Sequence, residues 1–144
     1  MTNVATQEAK LWAPDYGFGT RLSGVTMADA RAKVTDAIAS EGFGVLTEID
    51  VRATLKKKLG VDVSPYLILG ACNPALAHRA LDIEPYVGLF LPCNITLWQE
   101  EEGDVVVTIA SPEAMIGIVG DERLEPIAVE AEHRLRCALE RLVA

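Results

Sequence analysis

The sequence predicts an α+β domain with helices packed on a largely antiparallel sheet. Three observations lead to this fold class: strand and helix patterns follow one another along the chain, an acidic glycine turn joins the last two strands, and only two helices are long enough to cover a sheet face. With 144 residues, half of them hydrophobic, the chain can build one core and leaves little for a second domain.

The chain begins, by prediction, with an arm, a strand and a long helix. "YGFGTRLSG" (16–24) alternates large side chains with glycine, as a strand does, and residues 1–15 before it are expected to form a mobile arm. Thr26, with Asp29 three residues later, resembles a capping box. Apolar residues then recur at helical spacing until Gly42, which predicts a helix between these points.

Two further strands and a short helix follow. "VLTEI" (45–49) predicts a strand, and the apolar residues after it recur four apart on a helix that Asp50 caps and Gly60 ends. "YLILGA" (66–71) predicts a strand that is apolar on both faces. A strand tolerates this pattern only when both faces are covered.

Asn73 and Pro74 predict the start of the next helix. Asn is among the best N-cap residues, and Pro is common at the first helical position because its missing N–H would have no partner there. Ser111 and Pro112 repeat the pattern later in the chain. Capping explains Asn73 and Pro74, but it does not explain why Cys72 stands just before them.

The last third of the chain predicts a β-hairpin and a long helix. "VGLFLPCNITLW" (87–98) and "VVVTIA" (105–110) read as the two strands, joined by the turn "QEEEGD" (99–104). Pro92 cannot donate to a ladder, so it predicts an edge position or a bulge. The last helix is expected from about 126 to 142.

Alternation along the first hairpin strand places Phe90, Thr96 and Trp98 on one face. This face is too apolar to leave to water. The helices are expected on the other face, so a second subunit or a ligand is expected to cover these three residues. Homodimers are the commonest oligomers, which favours a second copy of the chain.

Composition excludes several kinds of partner. The formal net charge of −8 and the pI near 4.7 argue against nucleic acid and anionic membrane, which both require clustered Lys and Arg. Residues 1–14 contain no apolar stretch of signal-peptide length, and no stretch elsewhere approaches the roughly 20 apolar residues that span a bilayer. Three cysteines without CxxC spacing suit a reducing compartment, so a cytoplasmic protein is expected.

Several segments together resemble the domain-of-unknown-function 302 family. "LILGACNPALAHRAL" is followed by "EPYVGLFLPCNITLW", by the turn "EEEGD" and by "VTIASPEAM", and the resemblance covers about residues 16–143. It implies one domain, over residues 16–144, with a TATA-binding-protein-like arrangement in which a curved antiparallel sheet carries helices on one side. It implies no reaction and no catalytic residues.

Two Cys-Asn pairs form the candidate ligand or thiol site: Cys72 with Asn73, and Cys93 with Asn94. If their strands are neighbours, two thiols and two amides come together. A helix dipole alone lowers a thiol pKa by less than about one unit, so a reactive Cys72 needs another cation. His78 lies about 9 Å further along a straight helix, which is beyond hydrogen-bond reach. A buried, unreactive thiol is the structural alternative.

No metal site, cofactor or catalytic group is predicted. Three Cys and two His lack zinc-ligand spacing. Cys137 is expected to pack within the last helix, and His133 is expected in solvent on a charged side that includes Glu132 and Arg134.

Three functions from different classes remain open. The first is a dimeric, non-catalytic domain that binds a small apolar or amphipathic molecule or a protein. The second is a thiol-dependent redox or sensing protein centred on Cys72 and Cys93. The third is a structural subunit of a larger assembly.

Overall fold

The computed structural model describes residues 13–143, so most of the predicted N-terminal arm lies outside the described residues. The described part contains five strands and five α-helices. In chain order these are β1 (Gly17–Leu22), α1 (Met27–Ala39), β2 (Gly44–Asp50), α2 (Val51–Leu59), β3 (Tyr66–Cys72), α3 (Pro74–Ile83), β4 (Cys93–Gln99), β5 (Val105–Ala110), α4 (Pro112–Val119) and α5 (Glu125–Val143). Short 3₁₀ helices cover Pro85–Phe90 and Glu122–Leu124.

The strands form one sheet in the order β1-β5-β4-β3-β2. Each neighbouring pair is antiparallel. The hairpin β4–β5 therefore lies at the centre, and β1 and β2 are the edges. The predicted α+β class with an antiparallel sheet is confirmed.

Most helices begin where the capping residues predict. The Thr26 hydroxyl accepts a hydrogen bond from the Asp29 amide at 3.0 Å, and the Asp50 carboxylate accepts one from the Ala53 amide at 2.9 Å. α2 ends at Gly60, which adopts a left-handed φ of 69°. Such side-chain oxygens satisfy amides that have no partner within the first turn, which is why these residues set the boundaries.

The core lies between one face of the sheet and helices α1 and α5. Alternation turns Leu69, Ile95 and Val107 toward the helices, and each is fully buried. Val34 of α1 and Leu135 of α5 are fully buried against them. Helix α2 differs from the others because none of its residues is buried.

The other face of the sheet carries an aromatic stack. Tyr66 of β3 and Trp98 of β4 are register partners, and their rings lie 5.7 Å apart and 9° from parallel. Alternation places Ile68, Thr96 and Thr108 on the same side. We call these five residues the outer face.

The prediction of a strand over 87–98 is wrong in its first half. Pro85–Phe90 forms a 3₁₀ helix, and β4 begins only at Cys93. The Glu84 carboxylate caps this turn by accepting from the Tyr86 amide at 3.0 Å. Alternating leucines suggested a strand, but Leu89 is 83% exposed and belongs to no ladder.

Pro92 lies neither on an edge strand nor in a bulge, contrary to prediction. β4 has β3 and β5 on its two sides, and Pro92 precedes its first residue. The missing N–H is thus outside the ladder, and the central strand tolerates the proline. The sheet irregularity is elsewhere, in β2 between Val45 and Thr47.

The longest helix, α5, has 19 residues. Within residues 13–143, no helix combines the length and the apolar character that a bilayer-spanning segment requires.

Candidate functional site

A cavity of about 270 Å³ lies where the end of β3 meets the start of β4. Helices α3, α4 and α5 and the 3₁₀ segment before β4 supply its other walls. The apolar lining includes Leu76, Phe90, Met115, Ile116, Ile127 and Ala128. Among the described residues that line it, none carries a charge.

Antiparallel pairing brings the two Cys-Asn pairs together. Ala71 pairs with Cys93, and Gly70 pairs with Asn94. Cys72 and Asn73, the next residues after Ala71, therefore lie beside the start of β4. Cys72, Asn73, Cys93 and Asn94 all line the cavity. The sequence left open whether their strands are neighbours, and the structure shows that they are. A functional site at these residues stays a prediction.

Asn73 has a defined structural role. The residue is 8% exposed, and its Oδ1 accepts a hydrogen bond from the Leu76 amide at 3.2 Å, which caps α3. Gly42 packs against the side-chain amide of Asn73, because a Cβ added to Gly42 would lie 3.0 Å from Asn73 Nδ2. The tight contact, together with the φ of 81° at Gly42, favours glycine there.

Burial makes the Cys72 and Cys93 thiols weaker acids than an exposed thiol. Burial raises the pKa of the Cys72 thiol above its ordinary value. For Cys93, burial first and the neighbouring Cys72 second raise the pKa to about 11. Both thiols are therefore protonated at neutral pH, which opposes nucleophilic chemistry.

Neither imidazole of the chain pairs with a cavity thiol. His78 lies 4.0 Å from Asp82 on the exposed side of α3. His133 Nε2 lies 3.8 Å from Cys137 Sγ on α5. His133 is exposed, as expected, whereas Cys137 is only half-buried and pairs with it.

The three residues predicted as an interface do not share one surface. Phe90 lies in the 3₁₀ helix and lines the cavity, while Thr96 and Trp98 belong to the outer face. The cause is the late start of β4, which removes Phe90 from the alternation. Asn94 borders both the cavity and a shallow hollow beside Trp98.

Glu132 is a buried acid that the sequence placed wrongly in solvent. It is 7% exposed, accepts a hydrogen bond from the Ser111 hydroxyl, and accepts another from the Glu113 amide at 3.3 Å. Arg136 Nε donates to its second oxygen at 3.2 Å. Ala128, one turn before Glu132, is also buried, so the buried side of α5 includes this position.

The carboxylates of Glu132 and Glu113 differ in proton affinity. Burial by itself raises the pKa of Glu132, but hydrogen bonds from Ser111, Glu113 and Arg136 outweigh it and hold this pKa below its usual value. Hydrogen bonding to Glu132, and secondarily burial, raises the pKa of Glu113. The buried acid thus gives up its proton more readily than Glu113.

Metal ligands do not gather in the described part of the chain. Over residues 13–143, no three His, Cys, Asp or Glu side chains lie close enough together to hold an ion.

Comparison with known proteins identifies relatives without an assigned activity. A family model described as "Domain of unknown function DUF302" matches residues 18–142. The crystal structure of an uncharacterized conserved DUF302 protein from Bacillus stearothermophilus is similar, with a TM-score of 0.81 and 32% identity, over 89% of this chain and 98% of that chain. No curated protein matches the chain.

Proposed function

Because this chain belongs to the DUF302 family, whose description names no activity, we propose a function from the cavity itself. The protein is a non-catalytic domain that binds a small, neutral, apolar or amphipathic molecule. The observation that supports it is the uncharged cavity of about 270 Å³ at the meeting of β3 and β4. An apolar cavity of about 150 Å³ already binds benzene, so this one is large enough for a two-ring molecule.

The lining suggests how such a molecule is oriented. Leu76, Ile116 and Ile127 offer an apolar wall, and the polar atoms are those of the two Cys-Asn pairs. Asn73 already caps α3, whereas Asn94 is exposed at the rim. An amphipathic ligand would therefore place its polar end near Asn94 and its apolar body against the helices.

Calorimetry with 1-naphthol and 1-naphthoate tests this function. We expect 1-naphthol to bind and the carboxylate to bind at least tenfold more weakly, because the cavity offers no cation. Ala77 lines the cavity on α3, so Ala77→Phe should weaken 1-naphthol binding at least tenfold. Ala75→Phe is the matched control, since Ala75 is exposed on the same helix. If neither 1-naphthol nor a wider panel of neutral apolar compounds bound, the proposal would be abandoned.

We also propose that two copies of the chain pair through the outer face. The stacked Tyr66 and Trp98 rings lie there, and alternation adds Thr96 and Thr108 beside them. These residues are uncharged, so two identical faces can approach without like-charge repulsion although each chain carries a net charge of −8. Such a self-complementary contact is typical of twofold dimers.

Sedimentation equilibrium tests the dimer. Trp98→Glu should convert a dimer to a monomer, because it buries a charge in the interface. Tyr86→Glu is the control, since Tyr86 is an exposed aromatic residue outside the sheet. A wild-type monomer at 100 micromolar would rule out this pairing, and it would also argue against the role of structural subunit.

A thiol-dependent sensor centred on Cys72 and Cys93 is the alternative function. Its support is that both thiols line one cavity, and their raised pKa values oppose it. We further propose a cytoplasmic protein with neither nucleic acid nor membrane as partner, as the acidic composition indicates. For the sheet and its helices we propose the curved TATA-binding-protein-like arrangement.

A further inference from the structure

Of the three helices that line the cavity, α4 has the fewest buried residues. Met115 and Ile116 line the cavity, but the only buried residue of α4 is Pro112, at its first position. Ile118 is 69% exposed. Helix α1, in contrast, buries four residues. Because local stability follows buried apolar surface, α4 opens at a lower free-energy cost than α1 or α5.

Both ends of α4 are nevertheless fastened. At its start, the Ser111 hydroxyl and the Glu113 amide donate to the same Glu132 oxygen. After its end, Gly120 adopts a left-handed φ of 74°, and the next short helix is anchored by the fully buried Leu124. The helix thus has one buried residue and lies between two fixed points.

The Glu132 carboxylate, which accepts the hydrogen bonds from the start of α4, is itself held in place on α5. Glu132 lies in the middle of α5, and Arg136 holds its other oxygen at 3.2 Å. The Arg136 guanidinium in turn stacks on the Phe18 ring, 4.3 Å from its centroid. Without the Glu132 carboxylate, the Ser111 hydroxyl would lose the acceptor of its donated bond in a buried place, which is costly.

We propose that α4 opens as a unit while the sheet and α5 stay folded, and that the bond between Glu132 and the start of α4 sets how often it opens. The opening widens the cavity for ligand exchange. The purpose of the motion rests on the proposed function, whereas the motion itself does not.

Hydrogen exchange measures the opening directly in the ligand-free protein. In Glu132→Ala, the α4 amides at positions 116–119 should exchange about tenfold faster or more, since hydrogen bonds to a charged group are lost. Buried amides of α1 and α5 should keep their rates. Glu132→Gln retains an acceptor without the charge and should increase the exchange rate of the α4 amides less. If Glu132→Ala does not fold, Glu132→Gln alone tests the opening of α4. Glu140→Gln, an exposed change on the same helix, should change nothing.

Cys93 reports whether the opening reaches the cavity. With Cys72→Ser and Cys137→Ser in the background, iodoacetamide should label Cys93 faster in the Glu132 variants by the same factor as the exchange. Association and dissociation rates of 1-naphthol should rise together.

Three results would overturn the inference: wild-type α4 amides as protected as those of α5, a Glu132 variant that speeds exchange equally in every element, or unchanged labelling of Cys93. Absence of 1-naphthol binding in every variant would remove the proposed function instead. Exchange and labelling would then still decide whether α4 opens.

Discussion

The same dipeptide, Cys-Asn, occurs twice in this chain and has a different role each time. Cys72 ends β3, and Asn73 is a buried cap of α3. Cys93 begins β4, and Asn94 is exposed at the rim of the cavity. The first pair closes a strand and opens a helix, whereas the second opens a strand.

The difference shows that position relative to element ends decides what these side chains do. Asn73 precedes a helix, so its oxygen meets an amide that lacks a partner. Asn94 lies inside a ladder whose backbone groups are already paired, so its side chain is free for solvent or a ligand. For the thiols the order is the opposite of that for the asparagines. Cys93, in the second pair, is more deeply buried than Cys72 and has the higher pKa.

The largest expected contrast is in thiol reactivity. A pKa raised from 9.0 to about 11 reduces the thiolate fraction of Cys93 at pH 8 about 100-fold. Iodoacetamide should therefore alkylate Cys93 about 100-fold more slowly in the folded protein than in urea, with a smaller reduction at Cys72. Mass spectrometry of tryptic peptides measures both rates. Equal rates at Cys72 and Cys93 would contradict the distinction, and alkylation of either thiol as fast as in urea would favour the thiol alternative.

The free energy of unfolding should also depend on the Cys93 thiol at alkaline pH. A group with a raised pKa in the folded state contributes stability that is full below its unfolded pKa and is lost as the pH rises through the folded value. For Cys93 this window runs from about pH 9 to 11. Wild type should lose about 2 kcal/mol more than Cys93→Ala across the window. Urea unfolding at each pH measures the difference, and parallel curves would contradict it.

The two asparagines should differ strongly on truncation. Asn73→Ala should destabilise the fold by about 1–2 kcal/mol, because the Leu76 amide loses its cap in a buried site. Asn94→Ala should change the free energy of unfolding by less than about 0.5 kcal/mol. Urea titration of the two variants side by side makes the comparison. Similar losses would mean that the second pair is also structural.

A comparison of Gly24 with Gly42 measures the contact between Gly42 and the Asn73 side chain, because both glycines have a left-handed backbone and only Gly42 lies near Asn73. Gly24 and Gly42 have φ values of 71° and 81°, but a Cβ on Gly24 would meet no atom within 4 Å, whereas one on Gly42 would approach Asn73 Nδ2. Each Gly→Ala change should cost about 1 kcal/mol for the backbone. Gly42→Ala should cost about 0.5 kcal/mol more, and this excess should vanish when Asn73→Ala is also present. Additive losses would show that Gly42 and Asn73 are independent.

Local signals in the sequence predicted most element boundaries. Thr26, Asp50, Asn73 and Ser111 each cap the helix that follows, because a cap depends only on the few residues around it. The order of elements and the acidic turn likewise determined the α+β class and the central hairpin. The resemblance to the DUF302 family, carried by the Cys-Asn-Pro and Leu-Pro-Cys-Asn segments, is confirmed over residues 18–142.

Only the tertiary structure decided which side chains meet. Residues 87–92 satisfy a strand pattern, yet Pro85–Phe90 forms a 3₁₀ helix that places Phe90 in the cavity and away from Trp98. Glu132 reads as a surface acid, yet it is buried against the start of α4, where the Ser111 hydroxyl and the Glu113 amide donate to its carboxylate. Caps and turns are determined by neighbours in sequence, whereas cavities and buried charges depend on contacts between residues far apart in the chain, which a single sequence does not encode in any local pattern.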